Sequence, residues 1–154
     1  MPEPAGARQA RWMARGFGVC AALWLGLVAT LALVAAPTLF AMLDRPLAGR
    51  LAGQMFRVEA HAALAFGLIL LLIERARRRK LMGQGAAPSV DLLLIAGALF
   101  CTVLGYFGLQ PMMEAAKQGE PTRFSFTALH AASTGFFGLK GLLLLALVWR
   151  QAGH

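Results

Sequence analysis

Residues 24–59 have the sequence WLGLVATLALVAAPTLFAMLDRPLAGRLAGQMFRVE, and this stretch decides the fold. An apolar run interrupted by Pro37 ends in the polar turn Asp44-Arg45-Pro46, after which the chain becomes apolar again through a segment rich in Gly and Ala. Because the turn is short, we expect the two apolar segments to be antiparallel neighbours. The stretch therefore predicts a transmembrane helical hairpin, and the second half of the chain repeats the same plan.

The composition places the chain in the membrane. Only 14% of its 154 residues are charged and 58% are hydrophobic, whereas soluble domains carry about 25% charged residues. Four apolar stretches, each near or above the roughly 20 residues that cross a bilayer, occupy approximately 16–43, 53–73, 90–110 and 126–149. We therefore predict an all-α, four-span transmembrane helical bundle at 16–150, between a basic N-terminal segment at 1–15 and a tail at 151–154.

The distribution of charge predicts the orientation of the bundle. The net charge is +8, and with four crossings most cations fall on one side: Arg8, Arg11, Arg15, Arg75, Arg77, Arg78, Arg79, Lys80 and Arg150. The loops on the other side mix both signs: Arg45, Arg50, Lys117 and Arg123 with Asp44, Glu114 and Glu120. Because cytoplasmic loops carry an excess of Lys and Arg, we expect both termini in the cytoplasm. Anionic lipid headgroups are the expected partner of this charge, and no nucleic-acid partner is expected.

Two prolines interrupt the apolar spans. Pro37 lies late in the first span and is expected to kink it or end its regular part, because proline lacks an N–H group and crowds the preceding turn. Pro111 is expected to close the third span.

Polar residues in the last two spans form the sharpest pattern. At 100° per residue, His130, Ser133, Thr134 and Lys140 share one face of the fourth span. Lys140 either belongs to an internal site or extends along the helix toward the cytoplasmic interface. The third span carries a stripe at i, i+4 and i+8. With His61 these residues form a candidate intramembrane site: His61, Thr102, Tyr106, Gln110, His130, Ser133, Thr134 and Lys140. The alternative is that these polar side chains only form hydrogen bonds between helices.

A metal site is a second interpretation of the histidines. Two imidazoles on facing helices suit haem iron or, with further ligands, zinc or copper. Four methionines at the outer ends of the first three spans could supply soft ligands for Cu(I): Met42, Met55, Met112 and Met113. The alternative is that His61 and His130 are neutral packing residues and that the protein holds no cofactor. Arg57 and Glu59 are interpreted as anchors at the headgroup interface, with substrate contact as their alternative.

Several short motifs then point to a family. They are Trp24-x-Gly26, Ala36-Pro37-Thr38-Leu39-Phe40, Ala48-Gly49 with Gly53 and Phe56, and Leu129-His130-x-x-Ser133. In this order and spacing the chain resembles domain-of-unknown-function family 4149, bacterial inner-membrane proteins similar to eukaryotic transmembrane protein 205. The resemblance implies a four-span bundle in the bacterial inner (cytoplasmic) membrane and no established biochemical activity.

Three classes of function stay open on these residues. A non-enzymatic accessory or structural membrane protein is the first, since no catalytic constellation is recognised. The second is a small solute or ion carrier, which in so short a chain would require an oligomer, and Gly135, Gly138 and Gly141 could pack within the bundle or between copies. The third is a metal- or haem-binding membrane protein that uses His61 and His130.

Overall fold

Four long helical segments, which we call spans 1 to 4, make up the computed structural model, which describes residues 5–82 and 88–153. Span 1 comprises an α-helix Ala5–Thr30, a π-helical segment Leu31–Ala35 and an α-helix Ala36–Met42. Span 2 is a single α-helix, Arg45–Met82. Span 3 comprises an α-helix Val90–Thr102, a π-helical segment Val103–Gly108 and an α-helix Leu109–Lys117. Span 4 is the α-helix Phe126–Ala152.

The predicted all-α, four-span bundle is confirmed. Within the described residues there is no strand, and four helices are long and apolar enough to cross a membrane. Parts of the predicted terminal segments, residues 1–4 and His154, lie outside the described residues. Because consecutive spans run in opposite directions, the turns at 43–44 and 118–125 share one end of the bundle, which we call the hairpin end. At the opposite end spans 1 and 3 begin and spans 2 and 4 end, and we call it the terminal end.

Short polar side chains begin three of the helices. Asp44 Oδ2 accepts the Leu47 N–H group at 3.2 Å where span 2 starts. Ser89 and Ser125 cap spans 3 and 4 in the same way by accepting N–H groups three residues later. Such caps satisfy N–H groups that have no partner within the first helical turn.

The core lies where spans 1 to 4 meet. In span 1 the buried residues recur every three or four positions at Phe17, Ala21, Trp24 and Val28, which is the period of one helix face. They pack against apolar residues of the other three spans: Ala63, Leu70, Ile95, Ala98, Leu144 and Leu147. Most other large apolar residues are exposed, as lipid-facing side chains of a membrane bundle must be.

Two glycines allow the spans to approach closely. A Cβ atom built on Gly67 would lie 2.3 Å from Leu99 of span 3, and one built on Gly105 would lie 2.6 Å from the Phe136 Cβ atom of span 4. Both distances are shorter than van der Waals contact. Small residues at these two positions therefore set the spacing of spans 2, 3 and 4.

Both internal prolines follow π-helical segments. The ring of a proline collides with the carbonyl four residues earlier, which is Leu33 for Pro37 and Phe107 for Pro111, and both carbonyls lie inside the π segments. The wider π turn makes room for the ring and lets the helix continue. The regular α-helix of span 1 is interrupted by the π segment before Pro37, and the α-helix that contains Pro37 runs on to Met42. The expectation that Pro111 closes span 3 is wrong, because the helix runs on to Lys117.

Candidate functional site

A buried ion pair joins spans 2 and 4. Lys140 Nζ donates to Glu59 Oε1 at 2.8 Å and to Glu59 Oε2 at 2.7 Å. The side chains are 3% and 1% exposed, so both charges are withdrawn from lipid and water alike. Burying an isolated charge is very unfavourable, whereas a carboxylate and an ammonium that satisfy each other are tolerated.

One aromatic ring contacts this pair, and a second ring packs against the first. The Lys140 ammonium lies 4.5 Å from the centroid of the Phe137 ring, a cation–π distance. Phe137 in turn meets Phe56 edge to face, with centroids 5.1 Å apart and an interplanar angle of 89°. Phe56 and Phe137 each precede their charged residue by three positions. Since spans 2 and 4 both run from the hairpin end to the terminal end, the two rings lie on the hairpin-end side of the ion pair.

The structure corrects two interpretations of these residues. Lys140 does not extend toward Trp149 and the terminal end, since its ammonium reaches Glu59 instead. Helical side chains lean toward the N-terminus of their helix, which in span 4 is the hairpin end. Glu59 is not an interfacial anchor either, because it is buried, while Arg57 two residues away is exposed.

A sequence signal for this pair did exist. Lys140 is the sole charged residue between Arg123 and Arg150, and Glu59 is the sole acid between Asp44 and Glu74. Two opposite, isolated charges in separate spans are each other's natural partners in a bilayer. The bundle adds Cys101 of span 3, which is buried and close enough to Lys140 to interact with it electrostatically.

The contacts of the polar stripe of span 3 lie within that span. The buried Thr102 hydroxyl donates to the Ala98 carbonyl of its own helix at 3.0 Å. Tyr106 is half-buried and contacts Phe107 edge to face, and Gln110 is also half-buried. The interhelical bond comes instead from Ser133 of span 4, whose hydroxyl donates to the Gly105 carbonyl at 2.7 Å.

His61 and His130 both lie on the exposed surface. His61 Nδ1 is 2.8 Å from the Arg57 carbonyl one turn earlier, and its ring contacts Phe107 edge to face. His130 stacks on Phe126 in its own helix, with centroids 5.8 Å apart. Thr134, also exposed, donates to the His130 carbonyl. The structure therefore does not bring the eight predicted residues into one site: it buries Lys140 and Thr102, and leaves His61, His130 and Thr134 outside.

The methionines proposed as metal ligands differ widely in exposure. Met42 and Met55 are 77% and 40% exposed, whereas Met113 is 7% exposed and Met112 is half-buried. Among the residues that the structure describes, no three His, Cys, Asp or Glu side chains are grouped to hold a metal ion. The geometry of the histidines thus fits packing and surface contacts better than a shared ligand set.

Further polar contacts tie the helices together at the terminal end. Ser89 donates to Glu74 Oε1 at 2.6 Å and so joins spans 2 and 3. Asp91 accepts from Arg150 and from Gln151, both at 2.9 Å, and so joins spans 3 and 4. The Arg77 guanidinium of span 2 lies 5.2 Å from the centroid of the Phe17 ring in span 1. Sequence reasoning found none of these contacts.

The comparisons with known proteins identify a family without an assigned activity. Residues 19–121 match the family model described as Domain of unknown function (DUF4149), which covers about two thirds of the chain and includes Glu59 but not Lys140. No curated protein and no solved structure matches the chain. With its four membrane-spanning helices and a matching family model over most of its length, the chain belongs to the DUF4149 family of domains of unknown function.

Proposed function

We propose that this membrane protein is a non-enzymatic accessory or structural component of the bilayer. The main support is the single buried ion pair within the described residues. Both Glu59 oxygens accept from Lys140, and neither side chain is more than 3% exposed. A pair in this state offers no free base, acid or nucleophile for a reaction. It holds spans 2 and 4 in register instead.

The remaining interhelical polar contacts support the same role. The Ser133–Gly105 bond joins spans 3 and 4 near the hairpin end. Contacts of Glu74 and Asp91 join spans 2, 3 and 4 at the terminal end. Each polar side chain in these contacts meets a partner on another helix, which is how polar groups stabilise a bundle in lipid.

The setting of the protein is part of the proposal. We place it in the bacterial inner membrane with both termini in the cytoplasm and with anionic headgroups at the terminal end. The support is the arginine-rich ends of spans 1 and 2, together with exposed Trp12 and Trp149 at the same end. Reporter fusions after residue 152 and within 118–125 test the orientation, and activity of a periplasmic reporter at the C-terminus would reverse it.

The experiment for the accessory role compares the wild type with Glu59→Gln/Lys140→Met. We expect the double variant, which removes both charges, to accumulate in the membrane and to recover the same crosslinked partners as the wild type. Ser133→Ala is the matched control, because it removes a polar interhelical contact of another kind. A double variant that folds normally but has lost a solute or ion flux shown by the wild type in proteoliposomes would refute the accessory role.

A small ion or solute carrier is the second candidate, and one observation favours it. Ionisable residues inside a membrane are frequently parts of transport paths, and the Glu59–Lys140 pair is buried between spans 2 and 4. The carrier predicts an oligomer and a flux that depends on Glu59 and Lys140. The metal-binding alternative has no comparable contact in its support, and we propose no resident cofactor and no nucleic-acid partner.

A further inference from the structure

One outward face of span 2 is polar near the hairpin end and apolar farther along the helix. Four residues at intervals of four, three and four positions lie within about 60° of one another on this face. All four are exposed, and together we call them the hairpin-end stripe: Arg50, Gln54, Arg57 and His61. Because they are exposed, these side chains are available to the surroundings of the bundle.

The same face continues toward the terminal end as a row of leucines. Leu64, Leu68 and Leu72 are 37%, 56% and 58% exposed, and they follow one another at intervals of four residues. The row ends at Arg75, which is exposed as well. A line of polar groups that leads into a line of apolar groups matches a phospholipid, whose phosphate lies at the membrane surface and whose acyl chains extend inward.

The spacing of the charges places Arg57 at the surface of the hydrocarbon. Arg57 and Arg75 are both exposed and lie 18 residues apart, which is about 27 Å of helix. The two charged residues between them, Glu59 and Glu74, are buried. The hydrocarbon core of a bilayer is about 30 Å thick, so it fits between the two exposed arginines. Arg57 therefore lies at the depth of the phosphate groups in the leaflet at the hairpin end.

The two arginines of the stripe have no acidic partner. Among the described residues, Arg50 and Arg57 form no ion pair. The nearest acids along the chain are already engaged, because Asp44 caps span 2 and Glu59 accepts from Lys140. The stripe thus carries two uncompensated positive charges and complements a ligand with a net negative charge. Guanidinium groups also match phosphate oxygens with two parallel hydrogen bonds.

We propose that Arg50 and Arg57 bind the phosphate of an anionic phospholipid in the leaflet at the hairpin end, with one acyl chain lying along Leu64 and Leu68. Gln54 lies between the two arginines along the helix, and its amide adds a further hydrogen-bond donor. A choline headgroup suits the site less, because it adds a positive charge beside the two guanidinium groups. This inference goes beyond the accessory role and beyond the headgroups at the terminal end, because it assigns a bound lipid to the opposite leaflet.

Photocrosslinking tests whether a lipid is bound at this place. The wild type is reconstituted in phosphatidylcholine nanodiscs that contain a small fraction of a phosphatidylglycerol with a diazirine near the ester end of one acyl chain. Crosslinks are mapped by mass spectrometry, and residues 58–66 report the leaflet at the hairpin end, whereas residues 68–75 report the other leaflet. A phosphatidylcholine with the same diazirine chain is the comparison probe, because the two probes differ only in their headgroups.

The decisive variant is Arg50→Gln/Arg57→Gln, and Arg75→Gln/Arg79→Gln is the matched control, because it removes two exposed arginines of the same face at the terminal end. In the wild type, phosphatidylglycerol should label 58–66 at least about tenfold more than phosphatidylcholine does, since each arginine near an anionic surface contributes about fivefold in affinity. This preference should be lost in Arg50→Gln/Arg57→Gln and kept in the control. Labelling of 68–75 that persists in Arg50→Gln/Arg57→Gln shows that this variant is inserted in the bilayer.

Three results would overturn the lipid site. The first is equal labelling of 58–66 by the two probes in the wild type, and the second is a preference that survives in Arg50→Gln/Arg57→Gln. The third concerns free phosphate as the ligand. Inorganic phosphate in large excess over the probe should leave the labelling unchanged relative to chloride of the same ionic strength, and a selective loss would assign the arginines to free phosphate instead. Partner recovery is a separate readout, so the accessory role and the lipid site can fail independently.

Discussion

The ion pair makes a sharp prediction about stability: losing one charge should be far worse than losing both. Lys140→Met removes the ammonium and leaves the Glu59 carboxylate buried with neither lipid nor water to solvate it. Glu59→Gln/Lys140→Met removes both charges and places two side chains of similar size in the same space. The double variant should therefore be more stable than Lys140→Met alone.

The size of the effect follows from the geometry of the pair. The side chains are 3% and 1% exposed and meet at 2.7 and 2.8 Å, and breaking such a pair by removing one partner costs about 3–5 kcal/mol. The lost contact with the Phe137 ring, 4.5 Å away, adds about 1–2 kcal/mol. We therefore expect at least about 3 kcal/mol for Lys140→Met, roughly a hundredfold in the folding equilibrium. The double variant should remain within about 1 kcal/mol of the wild type.

Reversible unfolding in mixed detergent micelles measures these differences as a double-mutant cycle. The fluorescence of buried Trp24 reports the transition when exposed Trp12 and Trp149 are replaced by Phe in every variant. The matched control is a cycle on Asp91 and Arg150, whose side chains are 15% and 44% exposed. That pair should show a coupling below about 1 kcal/mol. The reasoning is refuted if Lys140→Met destabilises by less than about 1 kcal/mol, or if the double variant is no more stable than either single variant.

Three further predictions concern other parts of the bundle. Gly105→Ala should destabilise by about 1–3 kcal/mol, because the new Cβ atom would lie 2.6 Å from Phe136, whereas Gly135→Ala, with open space around it, should have no such effect in the same unfolding assay; equal effects would contradict the close-packing role of Gly105. Ser133→Ala should lower the free energy of unfolding by about 0.6 kcal/mol, the mean for a hydrogen bond between helices in a membrane, because it removes the bond to the Gly105 carbonyl. A loss above about 2 kcal/mol would contradict the view that this hydrogen bond is the main contribution of Ser133 to stability. Elemental analysis of the untagged, detergent-purified protein should give the same metal content for the wild type and for His61→Ala/His130→Ala, because both imidazoles are exposed and their rings pack against Phe107 and Phe126. Near-stoichiometric iron, copper or zinc that disappears in the variant would instead support the metal site.

Much of the fold could be predicted from the residues alone because the bilayer imposes strong constraints. A helix must satisfy its own backbone groups in lipid and needs about 20 apolar residues to cross it. The stretch from Trp24 to Glu59 therefore shows a hairpin without any knowledge of its partners. The helix ends were harder to predict, because Pro111 indicates a stop, whereas the π segment before it accommodates the proline ring.

The candidate site depended much more on packing. His130, Ser133, Thr134 and Lys140 share a face about a third of the helix wide. Helical spacing alone does not show which of these four residues is buried. In the bundle, Lys140 is buried, Ser133 is half-buried and the other two are exposed. A helical wheel shows which residues neighbour each other on one helix, but not which side of that face a second helix covers.

The sequence by itself determined the class of protein, the number of spans and the family, because these depend on hydrophobic runs, charge distribution and short motifs within one stretch of chain. Only the tertiary structure decided that Glu59 and Lys140 are partners, because 81 residues separate them and their meeting depends on the relative rotation of spans 2 and 4. Rotation is set by close contacts such as Gly67 against Leu99 and Gly105 against Phe136. Those contacts arise from packing between helices, which the pattern of a single helix does not record.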